Sequence, residues 1–279
     1  MPDHKITNQF YNDMEHILSP REYGVYSPED RIKYVGMRAV GTGDVVELPY
    51  RHYWELKNFL RLIPQKRPLS ILELGCGAGR YAVSLSPLAT HITAVDMSKP
   101  QIDYAKQDLQ RRGINNVTYC CENLLDYIPP EGESYDVIYF SGVLQYFSGE
   151  EIENVLSRIL PSLKPDGVVV ERDTITYNPE QYIPDWEGYT SIYRTSNQIM
   201  DMFAHHGLYG TAQGPAYPYL RFARLWRTTG IHRAVILAEK YFPTPTFHLM
   251  RAISSLWSVF YSIPDPKLMH TFFSFKKQL

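Results

Sequence analysis

The stretch that decides the fold is Ile71-Leu72-Glu73-Leu74-Gly75-Cys76-Gly77-Ala78-Gly79-Arg80. Its opening residues continue a short apolar run from Leu69 and read as a buried strand that ends at a glycine loop. Glycines at the end of such a strand let the backbone turn sharply and let a ligand approach with no Cβ in the way. The spacing is G-x-G-x-G. Arg80 stands where the dinucleotide fingerprint G-x-G-x-x-G has its third glycine, which weighs against NAD or FAD. The phosphate-loop pattern G-x-x-x-x-G-K-S/T is absent, so a P-loop is excluded.

Outward from this loop, strand-like and helix-like patterns alternate. His91–Val95 reads as a second strand and ends at Asp96, an acid placed to accept hydrogen bonds from ribose hydroxyls. Ser98 is the expected cap of a helix to Arg112, stopped by Gly113. Val117–Cys121, Tyr135–Phe140 and Gly167–Glu171 read as strands three to five, with a helix over Glu150–Leu163. Ser196 is the expected cap of a helix to His206, and His270–Phe275 is the last strand. This pattern predicts an α/β domain: a Rossmann-like, seven-stranded, mostly parallel sheet with helices on both faces. Ligands of such sheets bind beyond the carboxyl ends of the strands, near the switch in strand order. The expected organisation is an N-terminal helical cap or lid over 1–64, a core over 65–215, a helical basic and aromatic insertion over 216–265, and a last core strand within 266–279.

Composition narrows the function. The 279 residues carry 28 Lys and Arg against 30 Asp and Glu, so the net charge of −2 argues against a nucleic-acid partner. The three cysteines are Cys76, Cys120 and Cys121. None has metal-ligand spacing, and an odd count with two adjacent fits a reducing cytoplasm better than a disulfide framework. No metal site is expected. Charge is unevenly spread, with nine Lys or Arg and two acids from Ala216 to Leu279. Arg221, Arg224 and Arg227 recur at three-residue spacing with Phe222 and Trp226. Such a stretch fits packing on the domain or on a second copy in a homodimer, or contact with an anionic membrane surface or acceptor.

With these motifs together, the sequence resembles the class I S-adenosylmethionine-dependent methyltransferase family. The resemblance runs through Glu73–Gly79, Val95-Asp96-Met97-Ser98, Glu122–Asp126, Phe140–Tyr146 and Leu163-Lys164-Pro165-Asp166-Gly167, and covers about residues 65 to 215. It implies S-adenosylmethionine as cofactor and S-adenosylhomocysteine as product. Glu73 and the Gly75 and Gly77 backbone would then meet the methionine end. Asp96 would hold the ribose and Met97 would pack on the adenine. Asn123 would accept from the adenine amino group and the Leu124 backbone N–H would meet a ring nitrogen. Ser141 would lie near the ammonium. Arg80 would either reach the cofactor carboxylate or stand as a solvated helix residue.

The acceptor side has to position a nucleophile, exclude water and take up a proton. Tyr146, Asp173, Tyr193 and Arg194 are the candidates, with Asp173 first; an ion pair with Arg172 or Arg194 is the alternative role for Asp173. The expected reaction is methyl transfer to an oxygen or nitrogen of a small-molecule acceptor, a natural product or glycan precursor. An acidic dyad after strand five and the last strand also resemble the protein N-terminal amine methyltransferases. Those carry His where this chain has Tyr146 and Asn where it has Thr174. A non-catalytic cofactor-binding scaffold is the third reading.

Overall fold

A computed structural model describes residues 48–179, 191–216, 249 and 268–278 of the chain. The expected insertion over 216–265 and most of the expected lid over 1–64 therefore lie outside the described residues. Seven strands form one sheet: β1 (Leu69–Leu74), β2 (Ala89–Asp96), β3 (Val117–Cys121), β4 (Tyr135–Ser141), β5 (Leu163–Thr176), β6 (Leu208–Pro215) and β7 (Leu268–Lys277). Their order is β3-β2-β1-β4-β5-β7-β6. The first five strands pair in parallel, and β7 runs antiparallel between β5 and β6. The order reverses between β1 and β4, which opens a crevice at their carboxyl ends.

Helices cover both faces, so the inner strands are apolar on both sides. The helix α1 (Leu48–Leu62) packs on the face that also carries α2 (Arg80–Leu85) and α3 (Lys99–Arg112). The core there includes Phe59, Ile71, Tyr81, Tyr139, Val170 and Phe272. On the other face lie α4 (Gly149–Ile159) and α5 (Ser196–Ala204), over Leu72, Phe140, Val169, Phe273 and Phe275. Phe203 of α5 stacks on Phe275 with ring centroids 4.2 Å apart.

Helix ends follow local chemistry. Helix α4 begins in a capping box, in which Ser148 accepts from the Glu151 N–H while the Glu151 side chain accepts from the Ser148 N–H. For α5 the capping residue is Thr195, not Ser196, because Gln198 completes the reciprocal box from Thr195. Ser98 does precede α3, but its side chain makes no capping bond; Asp96 takes its N–H instead.

One buried ionic cluster ties α1 to the rest. Glu55 is 0% exposed. Its Oε1 accepts from Arg172 Nη2 on β5 at 2.6 Å, and its Oε2 from Arg80 Nη1 on α2 at 3.0 Å. The Tyr81 hydroxyl reaches Oε2 at 3.4 Å, and the Arg80 guanidinium lies over the Tyr81 ring. Removing one partner of such a cluster leaves an uncompensated buried charge. Glu55→Ala is therefore expected to lower stability by about 3–5 kcal/mol in denaturant unfolding. A loss below about 1 kcal/mol would show that α1 contributes no more through Glu55 than a surface pair does.

Candidate functional site

The site begins at the glycine loop. Gly75 and Gly79 have φ of +75° and +76°, in the left-handed region that favours glycine. The space beside them is filled by the protein itself. A Cβ on Gly75 would lie 2.7 Å from Val143 Cβ, and one on Gly79 would lie 1.9 Å from the Tyr119 hydroxyl. Both glycines are thus demanded by backbone conformation and by close packing of the β4 and β3 sides. The loop is closed against β2 by the Gly75 and Cys76 N–H groups, which donate to the Val95 carbonyl at 2.8 and 3.1 Å.

Asp96 ends β2 beside this loop and is half-buried. Its Oδ2 accepts from the Gly77 N–H and its Oδ1 from the Ser98 N–H, each at 2.8 Å. These bonds hold the carboxylate rigidly at the strand end. Burial raises its pKa above the usual carboxylate value, and the two N–H donors offset part of that rise. Met97, next to it, is half-buried. Just past β3, which pairs with β2, the Asn123 side-chain oxygen accepts from the Leu125 N–H at 3.0 Å, and Arg158 donates to the Leu124 carbonyl at 3.1 Å. Asn123 and Leu124 therefore sit in a turn fixed from both sides, just past β3.

Glu73 is 1% exposed and neither of its carboxyl oxygens has a hydrogen-bond partner among the described residues. Burial pushes its pKa up to about 8, against the Arg80 charge and the approach of the Ala82 N–H. At neutral pH it is a protonated acid beneath the glycine loop. Arg80 is buried with its Nη1 on Glu55, so it is not a solvated helix residue. Ser141 ends β4, half-buried, in register with Arg172.

The second half of the site is built after β4 and β5. Residues Leu144–Tyr146 form a single 3-10 turn. The segment carrying Tyr193 and Arg194 is pinned to it: Ile192 N–H donates to the Gln145 carbonyl at 2.7 Å, and Thr176 N–H donates to the Arg194 carbonyl at 2.9 Å. Tyr146 and Tyr193, 9% and 0% exposed, pack together with Val143 and Leu268. Arg194 donates through Nη1 to the Leu144 carbonyl at 3.2 Å and through Nη2 to the Phe147 carbonyl at 2.6 Å. It fixes the loop after β4 by its backbone.

Asp173 is 3% exposed, and its Oδ1 has no hydrogen-bond partner among the described residues. The Gln145 N–H lies against this carboxylate, and its Oδ1 is near Gly142 at the end of β4. Burial pushes its pKa up to about 7, although Glu171, Arg172 and Arg194 oppose the rise. The structure thus brings Tyr146, Asp173, Tyr193 and Arg194 together, and separately gathers Glu73, Gly75, Gly77, Asp96 and Met97. Three polar residues escaped the sequence reading. Glu55 lies in α1, ahead of the motif region. Glu171 reads as part of an apolar strand, although its i, i+2 spacing to Asp173 was a usable signal. Gln145 is buried and donates through Nε2 to the Gly142 carbonyl at 3.3 Å and the Tyr146 hydroxyl at 3.1 Å.

Residues 71–167 match the family described as "Methyltransferase domain". The human N-terminal Xaa-Pro-Lys N-methyltransferase 1 is 34% identical over 122 residues, 43% of this chain and 54% of that one. The wheat (Triticum aestivum) phosphoethanolamine N-methyltransferase 1 is 28% identical over 121 residues, 43% of this chain and 24% of that one. The matches thus span about half of the human relative's length and about a quarter of the wheat relative's. A solved coclaurine N-methyltransferase bound to N-methylheliamine and S-adenosylhomocysteine superposes with a TM-score of 0.60 at 15% identity, over 99% of this chain and 90% of that one. One conclusion follows: residues 71–167 of this chain match a methyltransferase domain, carried on a Rossmann-like seven-stranded sheet.

Proposed function

We propose that this protein transfers the methyl group of S-adenosylmethionine to an oxygen or nitrogen of a small-molecule acceptor, with Asp173 meeting the acceptor. The observation that carries this reading is the buried Asp173 carboxylate, with one oxygen unbonded, at the crevice between the carboxyl ends of the strands. The donor side fits the cofactor on two counts. Glu73 is a buried acid whose oxygens lack protein partners, and Asp96 is a carboxylate held rigid at the end of β2. Glu73, with Gly75, Gly77 and Ser141, would hold the methionine end; Asp96 would take the ribose, and Met97, Asn123 and Leu124 the adenine.

Bound there, S-adenosylmethionine supplies an electrophilic methyl on a cationic sulfur and leaves as the neutral thioether. The protein has little charge to stabilise on that leaving group, so its work lies in alignment and in removing a proton. Asp173 takes the O–H or N–H proton of the acceptor as the new bond to carbon forms and the sulfur keeps the electron pair of the broken bond. Tyr146 and Tyr193, packed together nearby, exclude water from that face. Arg194 acts through the backbone it clamps.

The human relative favours a second reading, transfer to the α-amine of a protein N-terminus. Tyr146 and Thr174 stand where those enzymes carry His and Asn, and the Thr174 hydroxyl instead meets His270 Nδ1 at 3.1 Å. This is why the small-molecule reading leads. All three cysteines are free, which fits a cytoplasmic setting.

Two variants separate donor from acceptor. Asp96→Ala is expected to weaken S-adenosylhomocysteine binding at least about tenfold in calorimetric titration, the loss of a good charge-assisted bond. Asp173→Asn is expected to retain that affinity while lowering kcat/KM about 10²–10⁴-fold with any acceptor found in a labelled-methyl screen of metabolites and N-terminal peptides. Full turnover of Asp173→Asn would remove Asp173 from the reaction. Since Asp173 must be ionised to accept a proton, kcat/KM should fall about tenfold per pH unit below its pKa of about 7.

A further inference from the structure

We infer that Glu171 keeps its proton at neutral pH and donates it in a hydrogen bond to Asp173, so that the two carboxyls carry one negative charge and Asp173 bears it. The inference rests on Asp173 being the group that meets the acceptor. Glu171 is then a positioning residue for Asp173.

The geometry comes from strand alternation. Residues 171 and 173 of β5 project to the same face, with Arg172 between them on the other. Glu171 is 0% exposed and Asp173 is 3% exposed. Three of their four carboxyl oxygens, Glu171 Oε1 and Oε2 and Asp173 Oδ1, have no hydrogen-bond donor among the described residues. Two ionised carboxylates so placed repel each other in a poorly screened site, whereas one shared proton turns the repulsion into a bond. That proton also provides the donor the oxygens lack.

The surroundings decide which acid holds it. Glu171 is flanked in register by Phe140 on β4 and Phe273 on β7. Helices α4 and α5 contribute Leu156, Ile199 and Phe203 to the core on this face. Asp173 is flanked by Thr271 and faces the Gln145 N–H. The charged groups acting on Glu171 are Asp173 and Arg172 from its own strand and Arg194 from the 191–195 segment. Arg194 spends its Nη groups on backbone carbonyls, so it contributes a nearby charge and no bond. Burial and then the Asp173 charge hold the Glu171 carboxyl well above the usual range. With one proton between the acids, the pair and Arg194 are together neutral.

The test compares wild type, Glu171→Gln and Glu171→Leu in two measurements. The first needs no acceptor: urea unfolding of the full chain from pH 5 to 7.5. A carboxyl that stays protonated in the fold and ionises in the unfolded chain makes stability fall as pH rises. The folding constant of wild type should therefore drop up to tenfold per pH unit more steeply than that of Glu171→Gln, which has no proton to lose. Parallel curves would overturn the inference. The second is the pH profile of kcat/KM. Glu171→Leu removes the donor to Asp173 and should move the acid-limb midpoint up by about one unit, while Glu171→Gln, whose amide still donates, should restore the wild-type midpoint. A downward shift in Glu171→Gln would mean that Glu171 is ionised, and would overturn the inference as well. If Asp173→Asn leaves transfer intact while the first measurement shows the expected slope, the acceptor assignment fails and the shared proton stands.

Discussion

The Glu55 carboxylate is the contact on which the donor half of the molecule depends. It joins α1 ahead of the sheet, the helix that begins directly after the glycine loop, and the strand whose end carries Asp173. Each attachment is through a guanidinium, so one buried anion faces two buried cations. Glu73, which feels the Arg80 charge, is held neutral by burial, and Glu55 bonds both guanidinium groups.

The sequence Glu171-Arg172-Asp173 shows how one strand sets up two electrostatic environments. Alternation sends Arg172 to the α1 face, where it meets Glu55, and the two acids to the α5 face. Arg172 still acts on the two acids through space, its charge lowering the pKa of each. On the strand, Arg172 bonds Glu55 while the two acids are left to face each other. That separation is what leaves an Asp173 oxygen unbonded inside a folded core.

Much of this was legible in the residues. The β1 boundaries, the glycine loop, Asp96, and the Gly113 stop of α3 follow from apolar runs and from residues with narrow conformational roles, and the structure reproduces them. Strand ends were less legible: β5 runs from Leu163 to Thr176, well beyond Gly167–Glu171, because pairing with β7 carries it on. Charged residues such as Arg172 and Asp173 do not read as strand from pattern alone. What pairs them with β7 is the antiparallel return from a segment about a hundred residues further on, which no local pattern encodes. Glu55 was hidden for the same reason, since its partners lie on α2 and β5 and only the docking of α1 brings them together. Arg194 was read as a side chain for the acceptor, yet its guanidinium bonds the carbonyls of Leu144, Ile192 and Phe147, contacts that depend on how a loop folds.

The glycine loop looks different once these contacts are known. In the sequence its glycines stand for closeness to a ligand. In the fold, the Cβ space of Gly75 is taken by Val143 and that of Gly79 by Tyr119. Val143 belongs to the segment that Arg194 clamps and that packs with Tyr146 and Tyr193. The loop that faces the donor and the loop that faces the acceptor are therefore in van der Waals contact at Gly75. A residue with a Cβ there would push the two loops apart. Gly75 thus acts as a spacer between the two loops, and in the methyl transfer proposed above a shift of about 1 Å at such a contact would cost about a hundredfold in rate.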